Sequence, residues 1–425
     1  MRLFVMFCCA VLSIPRLFPS LMMHNKLPQY INLCHSVKCF SMLTLATSWF
    51  GVFPLNEVFI NRKLDEVCPA FSMIGHTFSV DSILILKLFL DPDFQNNQYV
   101  IISPNRKRTL DTKDMDAMTH ITLRGIYPPL PTFFDEHEDM DIDTLQRHIA
   151  GLAETGIAGY VLMGSNGEAV HLSGEEREQV IAAAREAAGP NAQLIAGCAE
   201  QSTRATLRNC EQAARNGADV ALILPPFYYK SAMNAQALIA HYGEVADGSP
   251  LPVVIYNMPA NAAGIDLDTA VVCALAAHPN IIGVKDSSGN MAKLAEIVAT
   301  TSGDHAAYKP GRFSVFAGSA GYLLPALAVG AVGAVAALAN IFPREVCRVQ
   351  ELFAAGQLEE ARQLQARLVP ANAAITTIYN VPGLKAGLEM TAGYGGRPRS
   401  PLQSLSAEQR RHLATLLSRV APVTP

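Results

Sequence analysis

The chain has 425 residues, of which 50% are hydrophobic and 16% are charged. This composition excludes an intrinsically disordered chain and supplies enough apolar surface for a large core, while the length alone allows one large domain with additions or two to three domains. The formal net charge is −4, from 33 Lys+Arg and 37 Asp+Glu. Because no excess of cations is present to neutralise phosphates, the charge argues against nucleic acid as a partner.

Residues 1–114 are predicted to form an N-terminal extension without an assigned fold, because they show no sustained periodicity. The apolar run 3–12 behind Arg2 resembles the hydrophobic part of a secretory signal but is too short to span a bilayer. No acidic residue precedes Glu57, which suits a mitochondrial transit peptide. A targeting extension and a stretch outside the functional protein are equal alternatives here, and Met115 and Met118 offer alternative starts.

The nine cysteines show neither C-x-x-C nor metal-ligand spacing. This pattern is typical of reduced, buried thiols in an intracellular protein. The sequence leaves open whether the compartment is the cytoplasm or the mitochondrion, and it predicts no membrane partner.

From Thr122 onward, short apolar runs alternate with Ala-, Glu- and Arg-rich stretches of helical length, as repeated βα units require. We therefore predict an α/β fold, a (β/α)8 TIM barrel over residues 115–340, followed by the last barrel helix and a C-terminal helical appendage over residues 341–425. The predicted strands are 123–128, 160–163, 194–196, 220–224, 252–256, 281–285, 314–317 and 332–335. The predicted helices are 143–154, one that opens with a capping box at Ser173 and Glu176, 203–216, 235–246, 267–277, 292–302, 323–329, 345–355, 359–368 and 407–420.

Catalytic groups of such a barrel lie at the carboxyl ends of its strands and in the loops that follow. Lys285 ends the sixth predicted strand. A lysine buried at the end of an apolar run favours the neutral amine, which can attack a carbonyl and form a Schiff base. On position alone, the more common alternative is a structural lysine that reaches solvent or pairs with Asp286.

Two further groups are predicted at the same end of the barrel. Tyr256 ends the fifth strand and can act as a general acid and base, although a packed tyrosine with a satisfied hydroxyl is the alternative. The loop Gly164-Ser-Asn-Gly-Glu168 follows the second strand, where side-chain and backbone donors can bind a carboxylate, although a simple tight turn would look the same. Pro225-Pro-Phe-Tyr-Tyr229 adds two phenols after the fourth strand, and packing alone could explain one of them.

The barrel region contains no His-x-His pair and no His-Glu-x-x-His motif, which argues against a metal-dependent aldolase or hydrolase. A GxGxxG fingerprint and a Walker loop are also absent from the sequence. We therefore expect no metal and no cofactor beyond a covalent Schiff base of the substrate on Lys285.

An ordered set of motifs over residues 125–401 resembles the dihydrodipicolinate synthase / N-acetylneuraminate lyase superfamily of class I aldolases. Within it, the sequence is most similar to the 4-hydroxy-2-oxoglutarate aldolases of eukaryotes, which share the Ser-Asn-Gly-Glu, Lys-Asp-Ser and Pro-Ala-Asn elements. The motifs are Gly164-Ser-Asn-Gly-Glu168, Pro225-Pro-Phe-Tyr-Tyr229, Ile255-Tyr-Asn-Met-Pro259, Gly283-Val-Lys-Asp-Ser-Ser-Gly289 and Ala317-Gly-Ser-Ala-Gly321.

The resemblance implies a role for each candidate residue. Lys285 would form the Schiff base with pyruvate, and Tyr256 would relay the proton. Tyr229 would complete a proton relay in the neighbouring subunit's site, so the resemblance also implies a homo-oligomer, typically a tetramer of paired dimers. The 2-oxo acid would be bound by Ser165, Asn166, Gly164, Gly167 and Val335.

Two departures from the family pattern bear on the second substrate. Dihydrodipicolinate synthases usually carry Thr-Thr in place of Ser165-Asn166, and an arginine near Asn261 that this chain lacks. The stretch Asn261-Ala-Ala-Gly264 is one residue longer than its counterpart in the hydroxy-oxoglutarate aldolases, which leaves the aldehyde partner open.

The sequence thus predicts a metal-independent lyase that cleaves a 4-hydroxy-2-oxo acid into pyruvate and an aldehyde. The first choice of substrate is 4-hydroxy-2-oxoglutarate, which yields pyruvate and glyoxylate. The enzyme alternatives are a 2-keto-3-deoxy sugar-acid aldolase and a dihydrodipicolinate synthase-type condensation. The non-enzyme alternative is a catalytically silent barrel that binds ketoacids.

Overall fold

The computed structural model describes residues 121–302 and 313–423, together with the backbone of four strands nearer the N-terminus. The chain divides into two compact units, Met1–Thr119 and His120–Pro425. The interpretation of residues 1–114 as a targeting or non-functional extension falls mostly outside the described residues and stays a prediction. In the first unit, a parallel pair followed by antiparallel pairs forms a small sheet from Val58–Phe59, Leu84–Lys87, Gln98–Ser103 and Arg106–Asp111.

The second unit contains the predicted (β/α)8 barrel. Its eight strands form one parallel sheet in which the second to the eighth strand pair in succession and the eighth pairs with the first. Each predicted strand overlaps an observed one, with boundaries that differ by up to two residues. The strands are β1 (Gly125–Tyr127), β2 (Gly159–Leu162), β3 (Gln193–Gly197), β4 (Val220–Ile223), β5 (Val253–Asn257), β6 (Ile281–Asp286), β7 (Ser314–Ala317) and β8 (Gly333–Val335).

The barrel closes between β1 and β2 through backbone hydrogen bonds that continue beyond the end of β1. Pro128 has no N–H to donate, so the regular strand ends at Tyr127 and not at residue 128 as predicted. The closing bonds join Ala158 N to Ile126 O at 2.8 Å, Val161 N to Pro128 O at 3.0 Å, and Leu130 N to Val161 O at 2.8 Å.

Helices α1 to α8 follow the strands and cover the outer face of the sheet. Several begin at a side chain that accepts a hydrogen bond from the first turn, as Asp141 and Ser202 do. The predicted capping box of Ser173 and Glu176 is confirmed at the start of α2. The helices are α1 (Ile142–Leu152), α2 (Gly174–Ala188), α3 (Thr203–Arg215), α4 (Ala235–Gly248), α5 (Thr269–Ala276), α6 (Met291–Thr301), α7 (Leu323–Ala328) and α8 (Pro343–Ala354).

Apolar side chains pack on both faces of the sheet. Outward residues such as Tyr160 join the helices in one buried cluster, and inward residues such as Val161, Val254 and Phe316 form a second cluster inside the barrel. Because both faces are covered, the strands read as continuous apolar runs without alternation, as predicted. The filled interior leaves the ends of the barrel as the places where a site can form.

Three further helices follow α8: α9 (Leu358–Ala373), α10 (Asn380–Ala392) and α11 (Ala407–Leu417). The sequence prediction included α9 and α11 but was wrong to leave residues 380–392 without a helix. Pro382 and two glycines there look like helix breakers. Pro382 lies in the first turn, where its missing N–H is not needed. Gly387 permits close packing, since a Cβ there would lie 2.6 Å from Ile341 Cδ1.

Within the described residues, no helix combines the length and the apolar character that a membrane crossing requires. Cys198, Cys210 and Cys347 are buried thiols, as the sequence predicted. The five cysteines nearer the N-terminus lie outside the described residues.

Candidate active site

Lys285 lies near the carboxyl end of β6 and is buried inside the barrel. Only 4% of its surface is exposed, and its Nζ lies 3.8 Å from the centre of the Tyr256 ring. The pairing of β6 with its two neighbours places Lys285 between Tyr256 and Phe316. Both aromatic residues belong to the interior cluster, so the amine faces the inside of the barrel and not the solvent.

A β-bulge in β6 turns Lys285 inward. The register with β5 shifts between Ile281 and Gly283, so that β6 has one extra residue there. Ile282 packs inside the barrel, whereas Ile281 and Val284 pack outside it. Because side chains alternate along a regular strand, an inward Ile282 without a shift of phase would place Lys285 on the outer face. The bulge therefore brings the amine to the interior.

Asp286 points away from Lys285 and pairs elsewhere. Its Oδ2 accepts a hydrogen bond from Asn257 Nδ2 at 2.8 Å and forms an ion pair with Lys293 Nζ at 3.0 Å. Its Oδ1 accepts hydrogen bonds from the turn that follows. The alternative in which Lys285 pairs with Asp286 is thus not what the structure shows. Since Asn257 and Asp286 directly follow Tyr256 and Lys285, their bond also holds the ends of β5 and β6 together.

Tyr256 connects the amine to the loop after β2. Its hydroxyl lies 3.4 Å from Ser165 Oγ. Burial alone raises the pKa of Tyr256, but the charge of Lys285 and the hydrogen bond with Ser165 outweigh it, so the pKa lies below its ordinary value. A phenol with a lowered pKa exchanges a proton more readily near neutral pH. The predicted lysine, phenol and loop hydroxyl therefore form one chain of contacts.

The loop after β2 has an unusual backbone conformation. Met163, one residue past the end of β2, has φ 51°, and Glu168 has φ 52°. Between them, Ser165–Gly167 forms a single 3₁₀ turn. Left-handed conformations cost energy in residues other than glycine, and such strain is often found at functional sites. Gly197 of β3 allows the loop to approach, since a Cβ there would lie 2.0 Å from Met163 O.

The predicted carboxylate ligands lie together in this turn. Gly167 O accepts a hydrogen bond from Thr132 Oγ1 at 2.7 Å, which ties the turn to the loop after β1. Asn166 Nδ2 is buried and has no hydrogen-bond partner among the described residues. A buried donor without a partner is costly, and a carboxylate oxygen would satisfy it. Gly164, Ser165 and Asn166 therefore lie where an anionic group can be bound.

The two remaining predicted residues lie in different places. Val335 ends β8 beside Tyr127 and packs inside the barrel. Tyr229 is 71% exposed, and its ring contacts that of Tyr228, which is 76% exposed, at a centroid distance of 5.1 Å. In the single chain, Tyr229 thus faces the surface and not the barrel interior.

The loop after β5 is the candidate for aldehyde recognition. It begins with a 3₁₀ turn, Pro259–Asn261, and continues with Ala263 at φ 51° and Gly264 at φ 79°. The loop is anchored where it ends, because Leu267 N donates to Asn257 Oδ1 at 2.9 Å. It contains no arginine between residues 258 and 266, so a second carboxylate would need another donor.

Comparison with known proteins identifies the family. The model of the dihydrodipicolinate synthetase family matches residues 122–420. The chain belongs to this family. A relative from Emericella nidulans, named "Probable 4-hydroxy-2-oxoglutarate aldolase, mitochondrial", is 41% identical over 298 residues, which are 69% of this chain and 94% of the relative. The L-threo-3-deoxy-hexylosonate aldolase of Aspergillus niger is 38% identical over 314 residues, with coverage of 68% and 92%.

Solved structures of the dihydrodipicolinate synthetase family have the same fold. A prophage protein of this family from E. coli K12, solved in complex with pyruvate, is 28% identical with a TM-score of 0.65, and the match covers 70% of this chain and 98% of that one. The resemblance inferred from the motifs is confirmed, and with it the expectation of an enzyme of the aldolase type. Since the family match extends to residue 420, the C-terminal helices belong to the family unit.

The sequence prediction missed Lys385, a buried lysine of α10 that contacts the loop after β2. Lys385 is 1% exposed, and its Nζ lies 2.7 Å from Glu168 Oε1. Glu168 was noted only as the last residue of the loop motif. The available signal was a single lysine within the otherwise apolar run 381–388, because a buried lysine requires a counter-charge. Because α10 was not predicted, the sequence did not indicate which residue Lys385 would contact.

Metal ligands do not assemble in the part of the chain that the structure describes. No group of three His, Cys, Asp or Glu side chains there is placed to hold a metal ion. The expectation that the reaction needs no metal and no cofactor stays a prediction.

Proposed function

We propose that the protein is a class I aldolase that cleaves a 4-hydroxy-2-oxo acid into pyruvate and an aldehyde through a Schiff base on Lys285. The observation that carries this proposal is the buried amine of Lys285 against the ring of Tyr256, whose hydroxyl also contacts Ser165. A Schiff-base aldolase requires this set of groups: a nucleophilic amine, an acid and base beside it, and donors for the carboxylate of the substrate.

The reaction proceeds in balanced steps. The neutral amine of Lys285 attacks C2 of the substrate, and Tyr256 supplies the proton with which the C2 oxygen leaves as water. The resulting iminium withdraws electrons as the bond between C3 and C4 breaks, while the Tyr256 phenolate takes the proton of the 4-hydroxyl and the aldehyde departs. Tyr256 then protonates the enamine at C3, and water hydrolyses the iminium, which returns the proton to the Tyr256 phenolate and releases pyruvate and Lys285.

The turn at Ser165 and Asn166 binds the substrate carboxylate in this proposal. The unpartnered, buried Nδ2 of Asn166 and the hydroxyl of Ser165 supply donors beside the small residues Gly164 and Gly167. Val335 contributes an apolar wall from the barrel interior. These contacts orient C2 toward the amine, which is the positioning effect that a bound reactant needs.

The first choice of substrate is 4-hydroxy-2-oxoglutarate, which gives pyruvate and glyoxylate. The name of the Emericella nidulans relative supports it. The second candidate is a 2-keto-3-deoxy sugar acid, because the Aspergillus niger relative acts on a 3-deoxy-hexylosonate and is nearly as similar. Condensation of pyruvate with aspartate semialdehyde ranks lower, since the loop after β5 lacks an arginine.

A substrate panel tests the choice. Pyruvate release is measured from 4-hydroxy-2-oxoglutarate and from L-threo-3-deoxy-hexulosonate at matched concentrations, before and after dialysis against EDTA. We expect the higher kcat/KM for 4-hydroxy-2-oxoglutarate and no loss after EDTA. Cleavage of the sugar acid alone would move the assignment to the second candidate. A protein that cleaves neither substrate and forms no borohydride-trapped adduct with pyruvate would be a catalytically silent binding barrel.

We also propose a homo-oligomer, a tetramer of paired dimers, in which the partner subunit's Tyr229 completes the proton relay. The exposed aromatic pair of Tyr228 and Tyr229 supports a contact surface there. Sedimentation should show a tetramer, and Tyr229→Phe should lower kcat while Tyr228→Phe leaves it nearly unchanged. A fully active monomer would contradict this assignment.

For the compartment, the name of the Emericella nidulans relative favours the mitochondrion over the cytoplasm. Cell fractionation tests this: we expect the full chain to copurify with a mitochondrial matrix marker. Recovery with cytosolic markers alone would contradict it.

A further inference from the structure

The loop that holds the proposed carboxylate ligands is fixed by charged residues that the reaction scheme does not use. Glu168 ends this loop, and its carboxylate is almost completely buried. Its Oε1 lies 2.7 Å from Lys385 Nζ, and its Oε2 accepts a hydrogen bond from Arg399 N at 2.9 Å. His171 Nδ1 contacts the same Oε2 at 3.2 Å. Both oxygens of Glu168 thus have partners from the C-terminal part of the chain.

The same two cations also bind to their surroundings. Lys385 Nζ donates to Arg397 O at 2.8 Å. Lys385 Nζ and the Arg399 guanidinium lie 4.4 Å and 4.3 Å from the centre of the Phe134 ring. Arg399 further forms a two-pronged ion pair with Glu176 of α2, at 2.7 Å and 2.9 Å. The segment after α10 is therefore joined to the loop, to the start of α2 and to Phe134.

The turn after α10 is shaped for this contact. A Cβ on Gly395 would lie 2.0 Å from Lys385 O, and a Cβ on Gly396 would lie 2.8 Å from Phe134 O. Gly396 also has a left-handed backbone, with φ 72°. Glycine alone lets the chain pass this close. The close approach of this segment to Phe134 and to α10 thus requires Gly395 and Gly396.

A buried ion pair is weak evidence of a gain in stability, because apolar side chains of similar size often stabilise a fold as well. It does fix the direction of the groups that it joins. Glu168 lies two residues after Asn166 and closes the turn, because its N–H donates to Ser165 O at 3.2 Å. Contacts that fix Glu168 therefore also restrain the turn. No other charged side chain is part of that turn.

The geometry points to Glu168, Lys385 and Arg399, together called the C-terminal clamp, as positioning residues that hold Ser165 and Asn166 against the carboxylate of the 2-oxo acid. This inference rests on the proposed function. It assigns to the C-terminal helices a part in substrate affinity, through the loop and not through contact with the reacting atoms.

The test measures how much pyruvate is needed to label the full-length protein with borohydride. The double variant Glu168→Gln with Lys385→Met removes both charges, so no single buried charge is left to unfold the chain. We expect a thermal midpoint close to that of the wild type and a rise on the order of tenfold in the half-saturating pyruvate concentration. The maximum labelling rate at saturating pyruvate should be unchanged, and hydrogen exchange at residues 164–167 should be faster.

The matched control is Glu389→Gln. Glu389 lies on α10 one turn after Lys385 and pairs with Arg410 of α11 at 2.6 Å, and not with a residue of the loop. This variant should keep the half-saturating concentration of the wild type. An equal rise in the control would mean that general loosening of the helices, and not the clamp, sets the affinity.

Two outcomes overturn the inference. A folded double variant with the half-saturating concentration and exchange of the wild type shows that the clamp does not position the loop. If the double variant does not fold, Arg399→Met decides. It keeps the backbone N–H that donates to Glu168 but removes the guanidinium that anchors this segment to Glu176, so the segment can no longer hold Glu168 in place. We expect a rise on the order of threefold, and no rise overturns the inference. A wild-type protein that pyruvate and borohydride leave unlabelled refutes instead the proposed function itself.

Discussion

The barrel interior and the C-terminal clamp each bury a lysine, but they surround it differently. Within the described residues, Lys285 takes part in no ion pair and faces the ring of Tyr256, whereas Lys385 lies 2.7 Å from the carboxylate of Glu168. A lysine beside a fixed carboxylate is held as a structural cation. A lysine beside a phenol keeps its amine available to a ligand. The difference in partners, and not burial, separates the two roles.

A third lysine supports this distinction. Lys293 of α6 is also buried, and it contacts Asp266 at 2.5 Å and Asp286 at 3.0 Å. It lies behind β6, where it helps to hold the end of the strand that carries Lys285. The chain thus provides two structural lysines against which the proposed catalytic one can be compared.

The largest effect is expected from Lys285→Met. Removal of the nucleophile should lower kcat/KM by about 10³-fold or more, while the thermal midpoint stays near that of the wild type, because no ion pair is lost. Assays of pyruvate release measure the loss of activity, and thermal unfolding measures whether the midpoint is unchanged. Arg208→Met, at an exposed position on α3, is the control and should keep the activity of the wild type. An active Lys285→Met variant would show that Lys285 is not the catalytic lysine.

Lys385→Met should show the opposite pattern. The change leaves Glu168 buried without its counter-charge, so we expect the free energy of unfolding to fall by about 3–5 kcal/mol. Chemical denaturation measures it. Glu389→Gln, which breaks a half-exposed pair with Arg410, should cost no more than about 1 kcal/mol. Equal losses in the two variants would contradict the structural role of the buried pair.

Tyr256→Phe should lower kcat by about 10²- to 10³-fold, because the phenol exchanges the proton with the substrate. Tyr322→Phe is the matched control. The Tyr322 hydroxyl donates to Asp286 O at 2.9 Å, close to the site but outside the proposed relay, so its loss should leave kcat within about threefold. Steady-state kinetics measure kcat for both variants. Equal losses of kcat in Tyr256→Phe and Tyr322→Phe would refute the proposed proton relay.

The smallest effect is expected in the pH dependence of stability, from the buried, neutral side chain of His148. His148 contacts Asn340 and Tyr394, and burial lowers its pKa to about 4. Because the unfolded chain binds the proton near pH 6.5, stability should fall as the pH decreases from 6.5 to 4, by up to about 3 kcal/mol from this residue. Unfolding curves across this range, compared with His148→Gln, measure it. A slope that the variant does not reduce would assign the effect elsewhere, for example to His241, whose pKa burial also lowers to about 4.

The sequence predicted the barrel because its evidence is local and repeated. Each strand is a short apolar run with both faces buried, and the capping box at Ser173 marks a helix start by its chemistry alone. The order of the strands then placed Lys285 and Tyr256 at one end. The inward turn of Lys285 was not predictable, since it depends on a bulge that only the register of β5 and β6 reveals.

The parts that the sequence did not reveal depend on contacts between distant residues. Lys385 and Glu168 are 217 positions apart, and no local pattern relates them. Helix α10 was missed because Pro382 and its glycines are unfavourable in isolation and become acceptable only through packing such as that of Gly387 against Ile341. Tyr229 was predicted correctly as a loop residue after β4, but its exposure gives it no role within one chain.

Peptide mapping of the borohydride-trapped protein tests the central claim most directly. The full-length protein is incubated with pyruvate and borohydride, digested and analysed by mass spectrometry. We predict the mass of a reduced pyruvyl adduct on Lys285 and on neither Lys293 nor Lys385. An adduct on one of those two lysines, or none at Lys285, would contradict the assignment of the reactive amine.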